Sequence, residues 1–286
     1  MKGINIMAED ITAGVESISP PQDKKTEKPD SGNKAGFSVP TDFVPIPSKG
    51  VIYPPDSSLH MKEQLEVRFL TASDEDILTS RSLLRSGKAL DYLLSSCIVD
   101  KTIKVDEMIS GDKNAILTFL RITGYGPEYK TEIRCSSCSN DVEYDFDLGN
   151  VGVKDLEIQP EQKGDNRFKF DTPSGVSIEF KFLNTAEERQ ISELQEKMKK
   201  ATNSPLDQNI TIRLKNHIIS VNGDADKEII NKYVENMPVR DSRAIRKYIE
   251  DHEPDLDMKQ DFSCPHCGNS EEVEMPISVS FFWPDS

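Results

Sequence analysis

Two pairs of cysteines, each with two residues between its members, constrain this 286-residue chain more than any other feature. Cys135 and Cys138 lie in RCSSCSND, and Cys264 and Cys267 lie in CPHC. Each pair supplies half of the four thiolates that a closed tetrahedral zinc site uses. We therefore predict that all four cysteines bind one structural Zn²⁺. This ion would join two parts of the chain whose nearest cysteines, Cys138 and Cys264, are 126 positions apart.

The sequence around the second pair repeats the sequence around the first pair at a constant offset of 129 positions. The aligned residues include Asp112 with Asp241, Ile116 with Ile245, Phe119 with Tyr248 and Asn140 with Asn269. Farther upstream, FLTASDED at position 69 resembles FLNTAEER at position 182, so the second copy contains 16 additional residues. We interpret this pattern as an internal duplication. It predicts an α+β fold of two tandem units, residues 41–150 and 151–286, each with strands, helices and a cysteine-containing hairpin.

Helix ends are indicated by capping residues in both halves. Ser73 with Asp76 is predicted to begin a helix, and Gly87 is predicted to end it. In the second half, Thr185 and Glu188 have the spacing of a capping box before AEERQISELQEKMKK.

Apolar residues at helical spacing predict which faces are buried. One face of KALDYLLSSCIV carries Leu90, Leu94 and Cys97, so Cys97 is predicted to be a buried core thiol. The helix after position 185 has one apolar stripe, made of Ile191, Leu194 and Met198. We expect this stripe to face its own domain.

Two hairpins and a further helix complete the local pattern. The strands EYKTEIR and DVEYDFDL flank the first cysteine pair, and FKFDTPSGVSIEFKFL forms a hairpin that turns at Pro173-Ser174-Gly175. Before the first of these hairpins, a helix is predicted to begin near Asp112, with this residue at its N-cap, and to end at the turn of residues 124–126.

Both ends of the chain are candidates for contact with partners. Residues 1–40 are rich in proline, serine, glycine and charge, which predicts an arm that is disordered or becomes ordered on a partner. FVPIPSKGVIYPP is predicted to be an extended strap on the first unit. The terminal ISVSFFWP, with Phe281, Phe282 and Trp283, is predicted to be either a last strand that closes the second unit or a contact for a partner.

The composition argues against several classes of function. The formal net charge of −15 argues against binding to nucleic acid, because affinity for phosphates comes mainly from Lys and Arg. The sequence has no run of 18 consecutive apolar residues, so no membrane span is predicted. The N-terminus does not have the pattern of a secretory signal. Five cysteines, an odd number, without such a signal indicate a reducing compartment, in which thiols stay reduced or bind metal.

Three alternatives to the four-thiolate zinc site remain open from the residues alone. His266, inside CPHC, could act as a ligand. CPHC is also the active-site string of thiol oxidants, in which the first cysteine begins a helix. The thiols could instead be reduced and bind no metal. No nucleotide-binding, metalloprotease or serine-hydrolase motif is present, so we do not expect an enzyme.

Several segments in a fixed order resemble a known family. PSKGVIYPP, VRFLTASDEDIL and GDKNAILTFLRITGYGPEY, followed by a thiol pair and a strand of aromatic and acidic residues, resemble baseplate proteins of T-even-like contractile-tail bacteriophages. The similarity covers residues 45–150 well and the second half more loosely. It implies no catalytic residues.

The resemblance implies a component of the baseplate hub, with other phage baseplate and tail proteins as partners. Such a protein would assemble in the host bacterial cytoplasm and reside in the virion tail. An alternative is a hub assembly chaperone that is absent from the finished particle. A third interpretation, from the cysteines, is a zinc-ribbon adaptor that binds nucleic acid.

Overall fold

The computed structural model describes residues 38–202, 209–275, 277 and 279–282. The strands are β1 (Thr41–Pro45), β2 (Gln64–Arg68), β3 (Glu128–Arg134), β4 (Asp141–Asp147), β5 (Gly152–Lys154), β6 (Phe168–Asp171), β7 (Ser177–Phe180), β8 (Ile218–Val221), β9 (Asp255–Asp257), β10 (Lys259–Ser263) and β11 (Ser270–Glu274). The α-helices are α1 (Ala72–Thr79), α2 (Arg81–Arg85), α3 (Ala89–Cys97), α4 (Ser110–Tyr125), α5 (Thr185–Thr202), α6 (Asn209–His217), α7 (Lys227–Asn236) and α8 (Val239–His252). This content confirms the predicted α+β class.

The strands form small antiparallel sheets rather than one large sheet. β1 pairs with β2, β3 with β4, β5 with β9, and β10 with β11, while β6, β7 and β8 form a three-stranded sheet. The sequence prediction missed β8, because IISV follows α6 directly and no turn residue marks its start. Most buried apolar side chains from both halves, between Val44 and Phe282, belong to one core cluster. Within the part of the chain that is described, no helix is long and apolar enough to cross a membrane.

The predicted helix after Ser73 is two helices, and its cap is wrong. Extended backbone at Ser80 separates α1 from α2. The carboxylate of Asp74 accepts hydrogen bonds of 2.8 Å from both the N–H and the hydroxyl of Thr71, so Thr71 occupies the cap position. Burial would raise the pKa of Asp74, but hydrogen bonds from Arg68 and Thr71 hold it well below its usual range. Gly87 ends the segment in the left-handed conformation, with φ +66°, as predicted.

The cap of α5 also differs from the prediction. Asn184 and Glu187 form the capping box, since each side chain accepts from the backbone N–H of the other at 2.9 and 3.1 Å. The hydroxyl of Thr185 instead donates to the carbonyl of Met108, which ties α5 to the start of α4.

The predicted apolar stripe of α5 is only partly buried. Ile191 is buried with Leu183 and Ile212, and Met198 packs against them. Leu194 is 45% exposed and does not belong to the buried face. On α3 the prediction is confirmed, because Leu94 and Cys97 are fully buried and Leu90 packs against the core.

The predicted strap is partly a strand and partly a series of turns. Its first residues form β1, and Ile46, Ile52 and Tyr53 beyond it are buried. Phe43, in the same strand, is 56% exposed and does not contribute to the core. Residues 1–37 of the predicted arm lie outside the described residues.

Asp112 anchors this segment to α4 instead of capping the helix. Its buried carboxylate accepts from the N–H of Ser48 at 3.0 Å, from the Ser48 hydroxyl at 2.6 Å and from the Tyr53 hydroxyl at 2.5 Å. The Tyr53 oxygen in turn accepts from the N–H of Ile109, the residue before α4. Burial raises the pKa of Asp112 to about 6, although the hydrogen bonds from Ser48 and Tyr53 act to lower it.

The substitution Asp112→Asn is expected to remove a pH dependence of stability. The pKa of Asp112 is about 6 in the folded protein and about 3.9 in an unfolded chain. The folded state therefore binds the proton of Asp112 more tightly than the unfolded state does. The contribution of Asp112 to the free energy of unfolding decreases as the pH rises from about 4 to about 7. A difference of two pKa units corresponds to about 3 kcal/mol.

Urea denaturation of wild type and variant at both ends of this pH range measures the effect. The free energy of unfolding of wild type minus that of the variant should be about 2 kcal/mol smaller at about pH 7 than at about pH 4, because the unfolded-state carboxyl is already about half ionised at the lower pH. Loss of any bound metal at low pH affects both proteins and cancels in the difference. An equal difference at both pH values would contradict the raised pKa.

The C-terminal aromatic residues do not form the predicted strand. Val279–Phe282 is a 3₁₀ helix, and Phe281 and Phe282 are fully buried. The Arg121 side chain on α4 donates from Nε to the carbonyl of Phe281 at 2.8 Å. The end of the second half thus packs against the first half, and Trp283 lies outside the described residues.

Candidate metal centre

Two hairpins present the four cysteines to one another. β3 pairs with β4 along its whole length, and β10 pairs with β11 in the same antiparallel way. Each cysteine pair lies in or beside the loop of its hairpin, as the flanking strands predicted.

The two loops have the same backbone geometry. In the first, the N–H of Cys135 donates to the carbonyl of Asn140 at 3.0 Å, and the N–H of Ser139 donates to the carbonyl of Cys135 at 2.9 Å. The equivalent bonds in the second loop join Cys264 with Asn269 and Gly268 with Cys264, both at 2.8 Å. Ser139 and Gly268 are both left-handed, with φ +59° and +73°. This turn directs both sulfur atoms of a pair to the same side.

All four predicted ligand atoms lie within 4.8 Å of one another. The Cys135 and Cys267 sulfurs are 3.7 Å apart, as are the sulfurs of Cys138 and Cys264. In a tetrahedral site with metal–sulfur bonds of about 2.3 Å, two sulfur atoms are about 3.8 Å apart. The spacing therefore fits one metal ion bound by both pairs. His266 is exposed and is not a member of this cluster.

The electrostatics of the cluster favour a bound cation. The backbone N–H groups of Cys138 and Ser137 stabilise the Cys135 thiolate and lower the pKa of that thiol to about 7. The N–H of Asn140 acts to lower the pKa of Cys138, but burial and the neighbouring thiols raise it to about 11. The neighbouring thiols thus oppose the ionisation of Cys138, because negative charges close together repel each other. A soft tetrahedral cation such as Zn²⁺ would remove this repulsion.

Comparison with known proteins identifies the family of the chain that carries this site. The sequence matches the family described as T4 bacteriophage base plate protein over residues 56–283, a region that includes both cysteine pairs. The chain belongs to this family. No curated protein and no solved structure matches it. The predicted resemblance to baseplate proteins, which was clearest over residues 45–150, is confirmed at the level of the family. The family match also extends through the second half of the chain.

In this baseplate-family chain, contacts around the sulfurs also connect the two hairpins. Ser136 donates from its N–H and its hydroxyl to the carboxylate of Glu271, at 3.2 and 2.6 Å. The hydroxyl of Tyr144 donates to the carbonyl of Asp261 at 2.6 Å, and its ring packs edge-on against Phe262. The sequence analysis missed these contacts, since nothing in the residue pattern pairs a loop serine with a glutamate 135 positions away.

The substitution Gly268→Ala is expected to lower the free energy of unfolding of this baseplate protein by about 1 kcal/mol. No atom lies near the added methyl group, so the cost comes from the left-handed backbone alone. The matched substitution Gly152→Ala, where φ is not left-handed, should be nearly neutral. The converse change Ser139→Gly should stabilise the protein. Urea denaturation measures all three, and a loss at Gly152 as large as that at Gly268 would argue against the backbone explanation.

Proposed function

We propose that this chain is a non-catalytic structural or assembly component of the baseplate hub of a contractile-tail bacteriophage, with one zinc ion joining two duplicated units. Its partners would be other baseplate and tail proteins. It would assemble in the host cytoplasm and reside in the virion tail. The observation that carries the proposal is the family match over residues 56–283.

The proximity of the four sulfurs supports the role of zinc. A closed set of four thiolates has no open position for substrate, so such a site stabilises structure rather than performing chemistry. The residues that would bind the ion are Cys135, Cys138, Cys264 and Cys267. Because the two pairs come from distant hairpins, the free energy of metal binding would contribute directly to folding.

A contact that occurs once in each half supports the duplication. Ser48 donates from its N–H and hydroxyl to buried Asp112, and Ser174 donates from the same two groups to buried Asp241. Both serines follow a proline at a turn, and the two aspartates are 129 positions apart, the same offset as the cysteine pairs. The shared contact suits two copies, 41–150 and 151–286, of one ancestral unit.

Structural roles of three histidines support a function without catalysis. The Nδ1 atoms of His60, His217 and His252 are within 2.9 Å of the backbone carbonyls of Tyr53, Lys181 and Tyr248, respectively. Burial lowers the pKa of His217. These rings stabilise local backbone, which suits an assembly protein.

Peptide mass spectrometry of purified phage tails tests the proposed location. We expect peptides of this chain in intact tails, in a fixed ratio to other baseplate proteins. Their absence from tails, together with failure of hub assembly when the gene is deleted, would identify an assembly chaperone instead. Normal tails after the deletion would contradict both roles.

Metal content tests the proposed ion. Full-length protein purified without added metal should contain one zinc per chain, the Cys264→Ser variant should contain none, and the Cys97→Ala control should retain it. Iron in place of zinc would change the identity of the metal but not the site. Absence of metal, with all five thiols open to titration, would contradict the site itself.

A further inference from the structure

Helices α4 and α8 occupy equivalent positions in the 129-residue register, but one face that is covered on α4 is exposed on α8. The equivalent pairs are Gly111 and Arg240, Asn114 and Arg243, Leu117 and Arg246, and Thr118 and Lys247. The four α4 residues are buried or partly buried, whereas the four α8 residues are all exposed. The difference leaves one face of α8 open to a partner.

The cover on α4 is a short extended acidic segment. A Cβ on Gly111 would lie 2.0 Å from the carbonyl oxygen of Pro254, so the backbone approaches α4 as closely as glycine permits. Asn114 Nδ2 donates to the carboxylate of Asp255 at 3.0 Å. The segment has the sequence EPDLD and includes β9. It shows which kind of chain fits this side of the helix.

The open face of α8 is strongly basic in a chain with a net charge of −15. Arg240, Arg243 and Lys247 have the spacing i, i+3 and i+7, and Arg246 lies beside them. Among the described residues, Arg240 and Arg243 form no ion pair, and the nearest carboxylate to Lys247 is Asp251 at 3.3 Å. Like charges at this spacing destabilise a helix and none of them packs in the core, so folding does not explain them.

We propose that this basic face of α8 binds an extended acidic segment of another baseplate polypeptide, in the way that EPDLD covers α4. The proposal rests on the proposed function for the class of partner. The guanidinium groups of Arg240 and Arg243 would donate hydrogen bonds to partner carboxylates, for which Arg has the favoured geometry. Val239, 76% exposed at the start of the helix, adds an apolar contact.

A polypeptide fits this surface better than nucleic acid. Affinity for a phosphate backbone grows with the number of basic contacts, and this face has four basic side chains on a single helix. The negative charge of the rest of the chain would repel a long polyanion, whereas a short acidic segment reaches the basic face alone.

A binding assay with the full-length, metal-loaded protein tests the proposal. The probe is a fluorescently labelled peptide with two copies of EPDLD, titrated at low ionic strength, with QPNLN repeats as the uncharged control. The double variant Arg240→Glu/Arg243→Glu should weaken binding by about tenfold or more. The matched double variant Arg81→Glu/Arg85→Glu lies on exposed positions of α2 and changes the net charge of the chain by the same amount. It should alter the affinity for the peptide by less than about twofold.

Several outcomes would overturn the proposal. These are absence of binding by wild type, equal weakening by both double variants, and tighter binding to a short DNA duplex than to the peptide. Self-association in sedimentation velocity that only the α8 variant abolishes would identify a second copy of this chain as the occupant. None of these measurements depends on whether the chain is found in phage tails. A negative binding result would therefore contradict the proposed α8 surface without contradicting the proposed function.

Discussion

Replacing Cys264 with serine is expected to lower the free energy of unfolding by about 5 kcal/mol. The ion would join Cys138 and Cys264 across 126 positions, and a cross-link that closes a loop of this size restricts the unfolded chain by about that amount. Serine is a poor zinc ligand, so the variant loses the cross-link while the two hairpins keep their strands. Chelation of wild-type metal should give nearly the same loss.

The effect should be concentrated at the hairpins. The cluster around the sulfurs is small, with Val142 and Phe262 as its buried apolar side chains, and the partly buried Ile133, Tyr144 and Val273 connect it to the main core. Without the ion, β3–β4 is held against β10–β11 by the Ser136–Glu271 and Tyr144–Asp261 hydrogen bonds, the Gln260–Asp147 hydrogen bond and the edge-on packing of Tyr144 on Phe262. Hydrogen exchange in both hairpins should therefore increase more than exchange in α3 and α4.

Urea denaturation with and without chelator measures this prediction. Cys97→Ala is the control, because it removes a buried thiol outside the cluster and should leave the chelator effect intact. A chelator effect below about 1 kcal/mol on wild type would mean that the four thiols contribute nothing beyond ordinary packing.

The cysteine pairs allowed the centre to be predicted because their chemistry is specific and local. Two thiols with two residues between them constrain the loop, and the strands on both sides alternate clearly enough to indicate hairpins. We inferred that the two cysteine pairs lie together because a closed zinc site needs four thiolates and each pair supplies two. The structure brings the four sulfur atoms together. By contrast, the neighbouring Ser136–Glu271 contact depends on the relative placement of the hairpins, which residue patterns do not contain.

Helix caps were predicted one or two residues too late for a related reason. In TASDED and NTAEER, several adjacent side chains are able to cap a helix, and pattern alone does not rank them. The selection depends on where the preceding strand delivers the chain, so Thr71 and Asn184 cap instead of Ser73 and Thr185. Asp112 shows the same limit: it was predicted to cap α4, but it lies in the first turn of the helix, and its bonds to Ser48 and Tyr53 are tertiary.

The basic face of α8 illustrates a different limit. Its residues align with those of α4, yet the sequence does not reveal that one helix is covered and the other is open. The contacts of Gly111 with Pro254 and of Asn114 with Asp255 show that the equivalent α4 surface is filled. The proposed duplication therefore predicts corresponding positions but not their neighbours, and the unfilled position is where a partner is expected.

The substitution Arg121→Met is expected to lower the free energy of unfolding by about 4 kcal/mol. Arg121 is fully buried on α4, and its guanidinium donates to the carbonyls of Gly126, Glu128 and Phe281. It also lies over the ring of Tyr129, 5.9 Å from the centroid. Methionine fills much of the same volume but leaves these carbonyls without this donor in a site that water does not reach.

The loss should release the C-terminal segment first. Phe281 and Phe282 pack against α4 and are held there through the Phe281 carbonyl, so hydrogen exchange at these residues should rise in the variant under native conditions. Arg134→Met, at an exposed position near the end of β3, is the matched control and should change stability by less than about 0.5 kcal/mol. Equal effects of the two substitutions in urea denaturation would show that the buried hydrogen bonds of Arg121 do not anchor the C-terminus. Because Arg121 is remote from the four sulfurs, zinc content should stay at one per chain even where stability falls.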